Sequence, residues 1–314
     1  MQEVYGFRPL HIAVVEGANI VGVLPLFQVP GLAGKKIVNI PFGFYADPLV
    51  ANPSTLAFLI DHLKNYFKAE NFTGVQIKTE EQWPENNFYK TQPNVISRLE
   101  LAPSYEEVEV KFKKRFKQSL KQYAREAQES GMVLREMKDE KDLRVFYQLL
   151  SSVYKDRFFS LCQPYSFYRA LWQEFKETGE VKFLIAEKDG KIIGGTVWLF
   201  WNQEAYYAWG ASSKTDKEMK GLSLLLVEMI KKAVREGYKT VNFGISGASM
   251  EGLIFFKERW GAQTLPIYCY QLTDASSGNS KDIYSQKLGI RKILKYVPLK
   301  VVTTANQLLA RYFA

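Results

Sequence analysis

The chain has 314 residues, of which 46% are hydrophobic and 24% charged, a composition that is ordinary for a globular protein and a length that suits two domains. Its two cysteines and two histidines exclude a disulfide framework and argue against a zinc site or a Ser–His triad. The 42 basic residues outnumber the 33 acidic ones, and the resulting net charge of +9 favours an anionic partner.

Missing patterns exclude further classes of protein. The apolar stretches are much shorter than the ~20 residues of a membrane span, and the N-terminus lacks the charged-then-apolar pattern of a secretory leader. No GxxxxGK or GxGxxG string occurs, so a phosphate site of the P-loop or Rossmann type has no support. We therefore expect a cytoplasmic protein that is neither exported nor integral to a membrane.

The first hundred residues are predicted to form strands around one helix. Apolar runs separated by turn residues predict the strands, at residues 10–15, 20–29, 36–41, 74–78 and 95–101. Apolar side chains at helical spacing predict a helix from about Ser54 to Glu70. We assign residues 1–103 to a first domain.

A strongly basic helix is predicted to follow, over residues 104–131, and to connect the two domains. Ser104 and Glu107 fit a capping box at its start, and Gly131 is a natural stop. Residues 111–125 include seven basic side chains and no acidic one, beside an apolar stripe. This basic face is either simply solvated or a phosphate-contacting surface for RNA or a lipid headgroup.

Residues 132–273 have the most diagnostic order of elements. They are predicted as strand, helix, helix, three meandering strands, helix, strand, helix and strand, with Asp189-Gly190 as a hairpin signal between strands at 181–188 and 191–201. This order resembles that of the GNAT (Gcn5-related N-acyltransferase) fold, and the first domain resembles its later part. The predicted fold class is α/β, with tandem GNAT-like N-acyltransferase domains, mixed sheets flanked by helices, and a first copy that is incomplete at its N-terminus.

The segment 274–314 is predicted to be a basic amphipathic tail. Residues 276–280 have the composition of a linker. Residues 281–314 include seven basic side chains against one acidic side chain, together with an apolar face. Such a tail either packs on the domains or lies on a membrane surface.

Short motifs carry a resemblance to a known family. The most specific is the string FKERWG at 256–261, supported by YAWGAS at 207–212 and VNFG at 241–244, with looser similarity at 21–26 and 41–48. With these motifs the chain resembles the FemAB family of peptidoglycan-bridge aminoacyltransferases, which are built on tandem GNAT domains. The resemblance implies an N-acyltransferase that moves an aminoacyl group from charged tRNA to an amine of a lipid-linked muropeptide or surface-glycan precursor, in cell wall biogenesis.

Lys257 is the candidate catalytic residue. Aminolysis of an ester or thioester passes through a tetrahedral oxyanion, which a fixed cation stabilises most where water is excluded. Phe256 and Trp260 supply an apolar setting on the same predicted helix. The resemblance implies that Lys257 stabilises the transition state of acyl transfer, whereas the residues alone also permit a lysine that extends along the helix to solvent.

Aromatic residues are the candidates for binding the acyl donor beside this lysine. In a GNAT unit two parallel strands separate and leave a cleft for the donor. Tyr207 and Trp209 would lie at that cleft, and Phe256 would lie next to the lysine. We therefore predict these three residues as substrate-binding.

Two further pairs of residues are candidates for substrate binding, the first of them for the acceptor. The resemblance implies that Tyr154 and Arg157 bind a phosphate-linked precursor, and the guanidinium of arginine suits a diphosphate. In the first domain, Tyr45 and Asp47 lie in a turn-rich loop. That loop is either only a tight turn or a wall of the substrate channel.

The donor phosphates are predicted at the turn formed by residues 216–222. GNAT enzymes bind the pyrophosphate of CoA on a glycine-rich turn at a helix N-terminus. Here the turn has one glycine and the two lysines Lys217 and Lys220, which weakens a CoA interpretation and leaves another phosphate-bearing donor. We expect aminoacyl-tRNA as co-substrate and neither a cofactor nor a metal.

No general base stands out, and other functions stay open. Four carboxylates are candidates by position alone: Asp156, Asp216, Glu251 and Glu258. One alternative function is a CoA-dependent N-acyltransferase of polysaccharide amino sugars, which would use acyl-CoA. Another is a non-catalytic module that binds anionic lipid or RNA. For the leading interpretation, the tail 281–314 offers a peripheral contact with the inner face of the cell membrane.

Overall fold

The computed structural model describes residues 1–31, 34–84, 88–213, 220–273 and 296–313. Lys217 and the predicted linker at 276–280 lie outside these residues. Contacts divide the described residues into two compact units, the first within 1–95, 266–288 and 308–314 and the second within 96–265 and 289–307. The units are therefore interleaved in sequence, and each is described by itself.

The first unit contains one long helix and two sets of paired strands. Its elements are α1 (Gln2–Tyr5), β1 (Arg8–Pro9), β2 (Ile12–Glu16), β3 (Asn19–Leu24), β4 (Phe27–Gly31), β5 (Gly34–Val38), β6 (Leu49–Val50), α2 (Pro53–Ala69), β7 (Gly74–Thr79), the first part of β8 (Tyr89–Glu100) and the last part of β14 (Gln263–Thr273). The strands pair in the order β1-β4-β5-β7-β14, in which β5 and β7 are parallel and the other pairs antiparallel. A smaller sheet has the order β2-β3-β6.

Helix α2 covers the core of this unit and agrees with the helix predicted from the sequence. The side chain of Asn52 caps it by accepting the N–H of Thr55 at 2.9 Å, and Pro53 occupies the first turn, where no N–H is needed. Leu59 and Leu63 are buried against apolar side chains of the strands. The apolar side chains that repeat at helical spacing along α2 therefore form the face of the helix that packs on the strands.

The second unit contains most of the helices. Its elements are the last part of β8, α3 (Tyr105–Val110), α4 (Lys114–Glu129), β9 (Val133–Glu136), α5 (Glu140–Val153), α6 (Tyr165–Phe175), β10 (Val181–Lys188), β11 (Lys191–Trp201), β12 (Glu204–Ser212), α7 (Gly221–Arg235), β13 (Thr240–Gly247), α8 (Glu251–Glu258) and most of α9 (Leu299–Leu309). The strands pair in the order β13-β12-β11-β10-β9; β12 and β13 are parallel, and the remaining pairs are antiparallel.

Two large apolar cores lie in the described part of the second unit, beside a small cluster around Leu225. One surrounds Trp198 and Trp260 and includes side chains of α4 and α7. The other surrounds Phe146 and Tyr168, on α5 and α6. Because consecutive side chains of a strand point to opposite faces, β11 contributes Val197 to the second core and Trp198 to the first.

The order of elements predicted for residues 132–273 is confirmed. Asp189 and Gly190 have φ values of +51° and +69°, as a two-residue hairpin turn requires, and β10 and β11 have the predicted bounds. The sequence therefore predicted the β10–β11 hairpin with its observed bounds, because its turn is local, whereas β12 is longer than the predicted strand at 205–210.

The single basic helix predicted for 104–131 is instead two helices, α3 and α4. The helical hydrogen bonding is interrupted at Lys113, whose backbone N–H donates to the carbonyl oxygen of Arg259 at 3.0 Å. Gly261 also packs closely on the backbone of Lys111. The break depends on a partner that is distant in sequence, so the local pattern does not reveal it.

The described part of the tail is α9, followed by a short 3₁₀ turn at Ala310–Phe313. Val302 and Asn306 are buried, whereas Val301, Leu308 and Leu309 are exposed. Among the residues that the structure describes, no helix is long and apolar enough to cross a membrane. This helix therefore packs by one face and leaves apolar side chains exposed on another.

We predict that Gly261→Ala destabilises the protein more than Gly237→Ala. Both glycines have φ +78°, but a Cβ on Gly261 would lie 2.6 Å from the carbonyl oxygen of Lys111, whereas a Cβ on Gly237 would have no atom within 4 Å. Gly237→Ala should cost about 1 kcal/mol for the left-handed backbone, and Gly261→Ala about 1–3 kcal/mol more for the steric conflict. Urea unfolding measures the free energy of unfolding of both variants. Equal decreases in the two variants would contradict the steric conflict between a Cβ at position 261 and the backbone of Lys111.

Candidate active site

Two parallel strands of the second unit are paired over only part of their length. Residues Glu204–Tyr206 of β12 pair with Thr240–Asn242 of β13, although the strands run on to Ser212 and Gly247. Backbone groups beyond the last pair are available to other partners, and the carboxyl ends of parallel strands are common ligand sites. The predicted cleft therefore has a structural counterpart here.

A bulge in β12 separates two residues that the sequence placed at one cleft. The register with β11 shifts between Tyr207 and Trp209, so that Ala208 is an extra residue in β12. The ring of Tyr207 lies 5.4 Å from Trp198 in one core, and the ring of Trp209 lies 5.4 Å from Tyr168 in the other. The structure thus does not bring these two aromatic rings together.

Lys257 is buried beside the part of β13 that lies beyond its pairing with β12. Its side chain is 3% exposed, and its Nζ donates to the carbonyl oxygen of Gly244 at 2.6 Å. Gly244 lies two residues beyond Asn242, the last residue of β13 that pairs with β12. The ammonium group is therefore held at the carboxyl-terminal part of the strand, which excludes the interpretation of Lys257 as a lysine that extends to solvent.

Burial lowers the pKa of Lys257 to about 7. Among the described residues no carboxylate forms an ion pair with this lysine, and its hydrogen-bond acceptor is a neutral carbonyl. A lysine with such a pKa can donate a proton in its charged form and accept one in its neutral form near pH 7. Sequence reasoning left the acid–base group unassigned, and the structure supplies Lys257 itself as a candidate.

Aromatic packing fixes the helix that carries Lys257. Trp260 is fully buried, and its ring meets the ring of Phe116 at 4.8 Å and that of Phe256 at 6.4 Å. The guanidinium of Arg259 lies over Phe116 at 4.6 Å. Because the end of α8 is anchored in this way, the direction of the Lys257 side chain is determined by packing.

Tyr154 and Arg157 lie on one π-helical turn, Tyr154–Phe158, that directly follows α5. The side chain of Trp209 hydrogen-bonds the hydroxyl of Tyr154, whose pKa is raised by burial. Arg157 is exposed on the same turn. The structure therefore brings Tyr154 and Trp209 together, and π-helical turns are frequent at functional sites.

The loop of the first unit that contains Tyr45 and Asp47 is held by hydrogen bonds. The carboxylate of Asp47 accepts the backbone N–H groups of Glu80 at 3.1 Å and Glu81 at 2.9 Å. Burial raises the pKa of Asp47, and these N–H groups oppose that change. Asp47 thus holds the turn, and the role of both residues in a substrate channel stays a prediction.

On the donor side, the structure describes one of the two predicted lysines. Lys220 immediately precedes α7, and its carbonyl oxygen accepts the N–H of Ser223 at 3.0 Å. No side chain of the described residues caps this helix. Lys217 lies outside those residues, so the donor-phosphate site stays a prediction.

Three of the four candidate carboxylates can be placed. Asp156 accepts the hydroxyl of Ser152 at 3.2 Å, Glu251 is exposed at the start of α8, and Glu258 follows Lys257 directly. Asp216 lies outside the described residues. Within those residues no group of three or more His, Cys, Asp or Glu side chains could hold a metal ion.

Comparison with protein families identifies the second unit. Residues 114–257 match the family described as Acetyltransferase (GNAT) domain, and the match ends at Lys257. A search of curated protein sequences gives no match. This segment is therefore a GNAT domain.

Solved structures with the same fold cover most of the chain. FemX has a TM-score of 0.66 at 17% sequence identity, with 91% of each chain covered. The C-terminal domain of a putative lysylphosphatidylglycerol synthetase from Agrobacterium fabrum has a TM-score of 0.55 at 14% identity, covering 81% of this chain and 82% of that one. A tandem GNAT protein from the clavulanic acid biosynthesis pathway has a TM-score of 0.52 at 11% identity, covering 87% of this chain and 85% of that one.

The fold and the domain match define an acyltransferase with the tandem GNAT architecture. Within that class the chain has the fold of FemX, which confirms the FemAB-like fold that the sequence motifs predict. At these identities the comparisons establish the fold, so the substrates have to be inferred from the site.

We predict that Lys257→Met alters the pH dependence of stability. The pKa of the lysine is 10.5 in the reference state and about 7 in the folded protein, so between these values only the unfolded chain binds the proton. The wild type should therefore gain about 1.4 kcal/mol of unfolding free energy per pH unit from this group as the pH rises from about 7 to 10, and the variant should lack this gain. Urea unfolding near pH 7 and pH 9 measures the difference.

The control for this measurement is Lys191→Met, which removes an exposed lysine. Its unfolding free energy should change between pH 7 and pH 9 by the same amount as that of the wild type. If the difference in unfolding free energy between Lys257→Met and the wild type is the same at pH 7 and pH 9, the lowered pKa of Lys257 is contradicted.

Proposed function

We propose that the protein is a FemAB-like N-acyltransferase that moves an aminoacyl group from charged tRNA to an amine of a lipid-linked cell-wall or surface-glycan precursor. The observation that carries this proposal is the buried ammonium group of Lys257, 2.6 Å from the Gly244 carbonyl oxygen where β12 and β13 are no longer paired. A fixed cation in a site that excludes water is the group that a developing oxyanion requires.

The proposed reaction forms an amide bond and breaks an ester bond. The acceptor nitrogen attacks the ester carbonyl carbon of the aminoacyl-tRNA, and an electron pair moves to the carbonyl oxygen, where the Lys257 ammonium stabilises it. When the intermediate collapses, the ribose oxygen of the tRNA leaves and takes up a proton, while the nitrogen loses one. Since the pKa of Lys257 is about 7, this residue can take part in the proton transfer as well.

A basic surface beside α8 supports tRNA as the donor. We call it the α4 surface; its exposed members are Lys111, Lys113, Lys114, Arg115, Lys121 and Arg125. The backbone N–H of Lys113 bonds the carbonyl oxygen of Arg259, two residues after Lys257. A polyanion on the α4 surface would therefore approach the end of the helix that carries the candidate catalytic lysine.

A CoA-dependent N-acyltransferase of polysaccharide amino sugars is the second candidate. The match to the Acetyltransferase (GNAT) domain favours it. The N-terminus of α7 also favours it, because N–H groups at a helix start bind phosphate. A non-catalytic module for anionic lipid or RNA would leave the lowered pKa of Lys257 without a role.

Contact with a membrane follows from the proposed acceptor. Val301, Leu308 and Leu309 expose apolar side chains on α9, and the sequence of 281–314 has seven basic residues against one acidic residue. One protein of similar fold is named a putative lysylphosphatidylglycerol synthetase, a name that joins an amino acid to a lipid. We propose that the protein acts in the cytoplasm and touches the inner face of the membrane through this tail.

A donor-discharge assay tests the proposed reaction. Purified protein and a lipid-linked muropeptide precursor are combined with a pool of charged tRNAs or, separately, with acyl-CoAs. We expect discharge of tRNA, and we expect Lys257→Met to lower kcat about 100-fold or more, because the oxyanion loses its cation. Lys191→Met, at an exposed lysine, should retain the wild-type rate.

The outcomes separate the candidates. Discharge of acyl-CoA without discharge of tRNA would favour the amino-sugar N-acyltransferase. Discharge that persists in Lys257→Met would contradict the catalytic role of this lysine. If neither donor is discharged by the wild type, the binding module becomes the better interpretation.

We predict that reversing three charges of the α4 surface weakens the use of tRNA. Lys114→Glu, Arg115→Glu and Lys121→Glu combined should raise KM for charged tRNA about 10-fold or more while kcat changes little. The slope of log affinity against log salt should fall by about 2, since each phosphate contact contributes roughly 0.7–0.9. Steady-state kinetics and tRNA binding at several salt concentrations measure these effects.

The matched control reverses three exposed lysines outside the α4 surface, Lys138, Lys141 and Lys191, each to Glu. Its net charge equals that of the α4 variant. Equal losses in both triple variants would mean that only overall charge matters, which would contradict a specific tRNA surface.

A further inference from the structure

We infer that Asn242 is a positioning residue for acyl transfer, which together with Glu204 and Arg98 holds the Gly244 carbonyl oxygen against Lys257. We call these three side chains the Asn242 network. The inference rests on the proposed function for its catalytic consequence, and on geometry for the network itself. Asn242 lies in the VNFG string at 241–244, but the sequence alone assigned no role to any of these three residues.

The contact that needs positioning is the one between Lys257 and Gly244. The ammonium group donates to the carbonyl oxygen at 2.6 Å and has no ion-pair partner among the described residues. The orientation of this carbonyl therefore helps to determine both where Nζ lies and how well its charge is stabilised.

Gly244 has an unusual backbone conformation for a strand residue. Its φ is +71°, in the left-handed region that favours glycine. The side-chain oxygen Oδ1 of Asn242 accepts the backbone N–H of Gly244 at 2.8 Å. This two-residue bridge, of the kind that asparagine forms in turns, fixes the peptide plane that precedes Gly244. Together with the left-handed φ of Gly244, it helps to set where the next peptide, which carries the Gly244 carbonyl oxygen, begins.

Asn242 is in turn oriented by charged groups. Its side chain is fully buried, and its Nδ2 donates to Oε1 of Glu204 at 2.9 Å. The other carboxylate oxygen of Glu204 accepts Nε of Arg98 at 3.0 Å and the hydroxyl of Thr240 at 3.4 Å. The amide donates to the carboxylate through Nδ2 and accepts the Gly244 N–H through Oδ1, so both ends of the side chain are oriented by hydrogen bonds.

The network keeps its charges away from the lysine. Glu204 and Arg98 are paired with each other, and Asn242 and Gly244 stand between them and Lys257. At the end of α8, Glu258 and Arg259 are the charged residues that follow Lys257 in sequence, and burial is the cause of the lowered pKa of Lys257. The Asn242 network thus acts on Lys257 by orienting the backbone at Gly244 through a neutral amide, and not by placing a charge beside the lysine.

We test the inference with Asn242→Ala and Asn242→Ser. These variants differ by one oxygen atom, but a serine hydroxyl can still accept an N–H two residues ahead, more weakly than asparagine does. We expect Asn242→Ala to lower kcat about 10-fold or more with little change in KM, because the reacting groups are displaced. Asn242→Ser should recover part of this loss.

The second readout is independent of catalysis. NMR titration of lysine side chains, with the Lys257 signal assigned by Lys257→Met, measures the pKa of Lys257 directly. We expect Asn242→Ala to lower that pKa further, since the ammonium loses a well-placed acceptor, and Asn242→Ser to lower it less. Asn39→Ala is the control, because Asn39 is an equally buried asparagine whose amide bonds two carbonyl oxygens in the first unit.

The outcomes distinguish this inference from the proposed function. If the wild type transfers no aminoacyl group, the proposed function fails, and the NMR titration still tests the network. An unchanged pKa of Lys257 in Asn242→Ala would overturn the inference, as would equal shifts in Asn242→Ala and Asn39→Ala. Equal loss of kcat in Asn242→Ala and Asn242→Ser would also overturn it, because lost packing would then explain the effect.

Discussion

The buried charge of Lys257 is the constraint on which the rest of the site depends. Removing an ammonium group from water is costly unless strong hydrogen bonds replace the solvent, and the structure provides a neutral carbonyl oxygen at 2.6 Å. That carbonyl is available because β13 is no longer paired with β12 at Gly244. The lysine is held there because Trp260 anchors the end of α8 in an apolar core. β13, Gly244 and α8 therefore all contribute to the one hydrogen bond between Lys257 and the Gly244 carbonyl oxygen.

The sheet of the second unit organises the candidate residues into two groups rather than one. The bulge at Ala208 directs Tyr207 to the core that contains Trp260, and Trp209 to the core that contains Tyr168. Trp209 and Tyr154 belong together through a hydrogen bond. Lys257 and Phe256 share one helix with the first group. The proposed reaction has two substrates, an acyl donor and an acceptor. Two separate groups of residues would give each substrate its own set of contacts.

Local signals made much of the fold and part of the site predictable. The Asp189-Gly190 turn fixes the hairpin of β10 and β11, and the string at 256–261 indicated Lys257 as the candidate that the structure then places in a buried position. Features that depend on distant partners were not predictable: the helix break at Lys113 requires the Arg259 carbonyl, and the strand bulge at Ala208 shows only in the register with β11. Asn242 lies in the VNFG string at 241–244, but that string did not indicate its role, because a buried asparagine is recognised by its hydrogen bonds and not by its neighbours in sequence.

Lys257 has no carboxylate partner in the part of the chain that the structure describes, and this has a consequence for how the site responds to its own ligands. With a pKa of about 7, Lys257 is only partly protonated near neutral pH when the site is empty. Any anion that settles beside it, or any oxygen that gains negative charge during the reaction, raises that pKa and draws a proton from solution. The positive charge is therefore not a permanent feature of the empty protein. Lys257 becomes fully protonated only when a negatively charged ligand binds beside it, so anion binding and proton uptake are coupled.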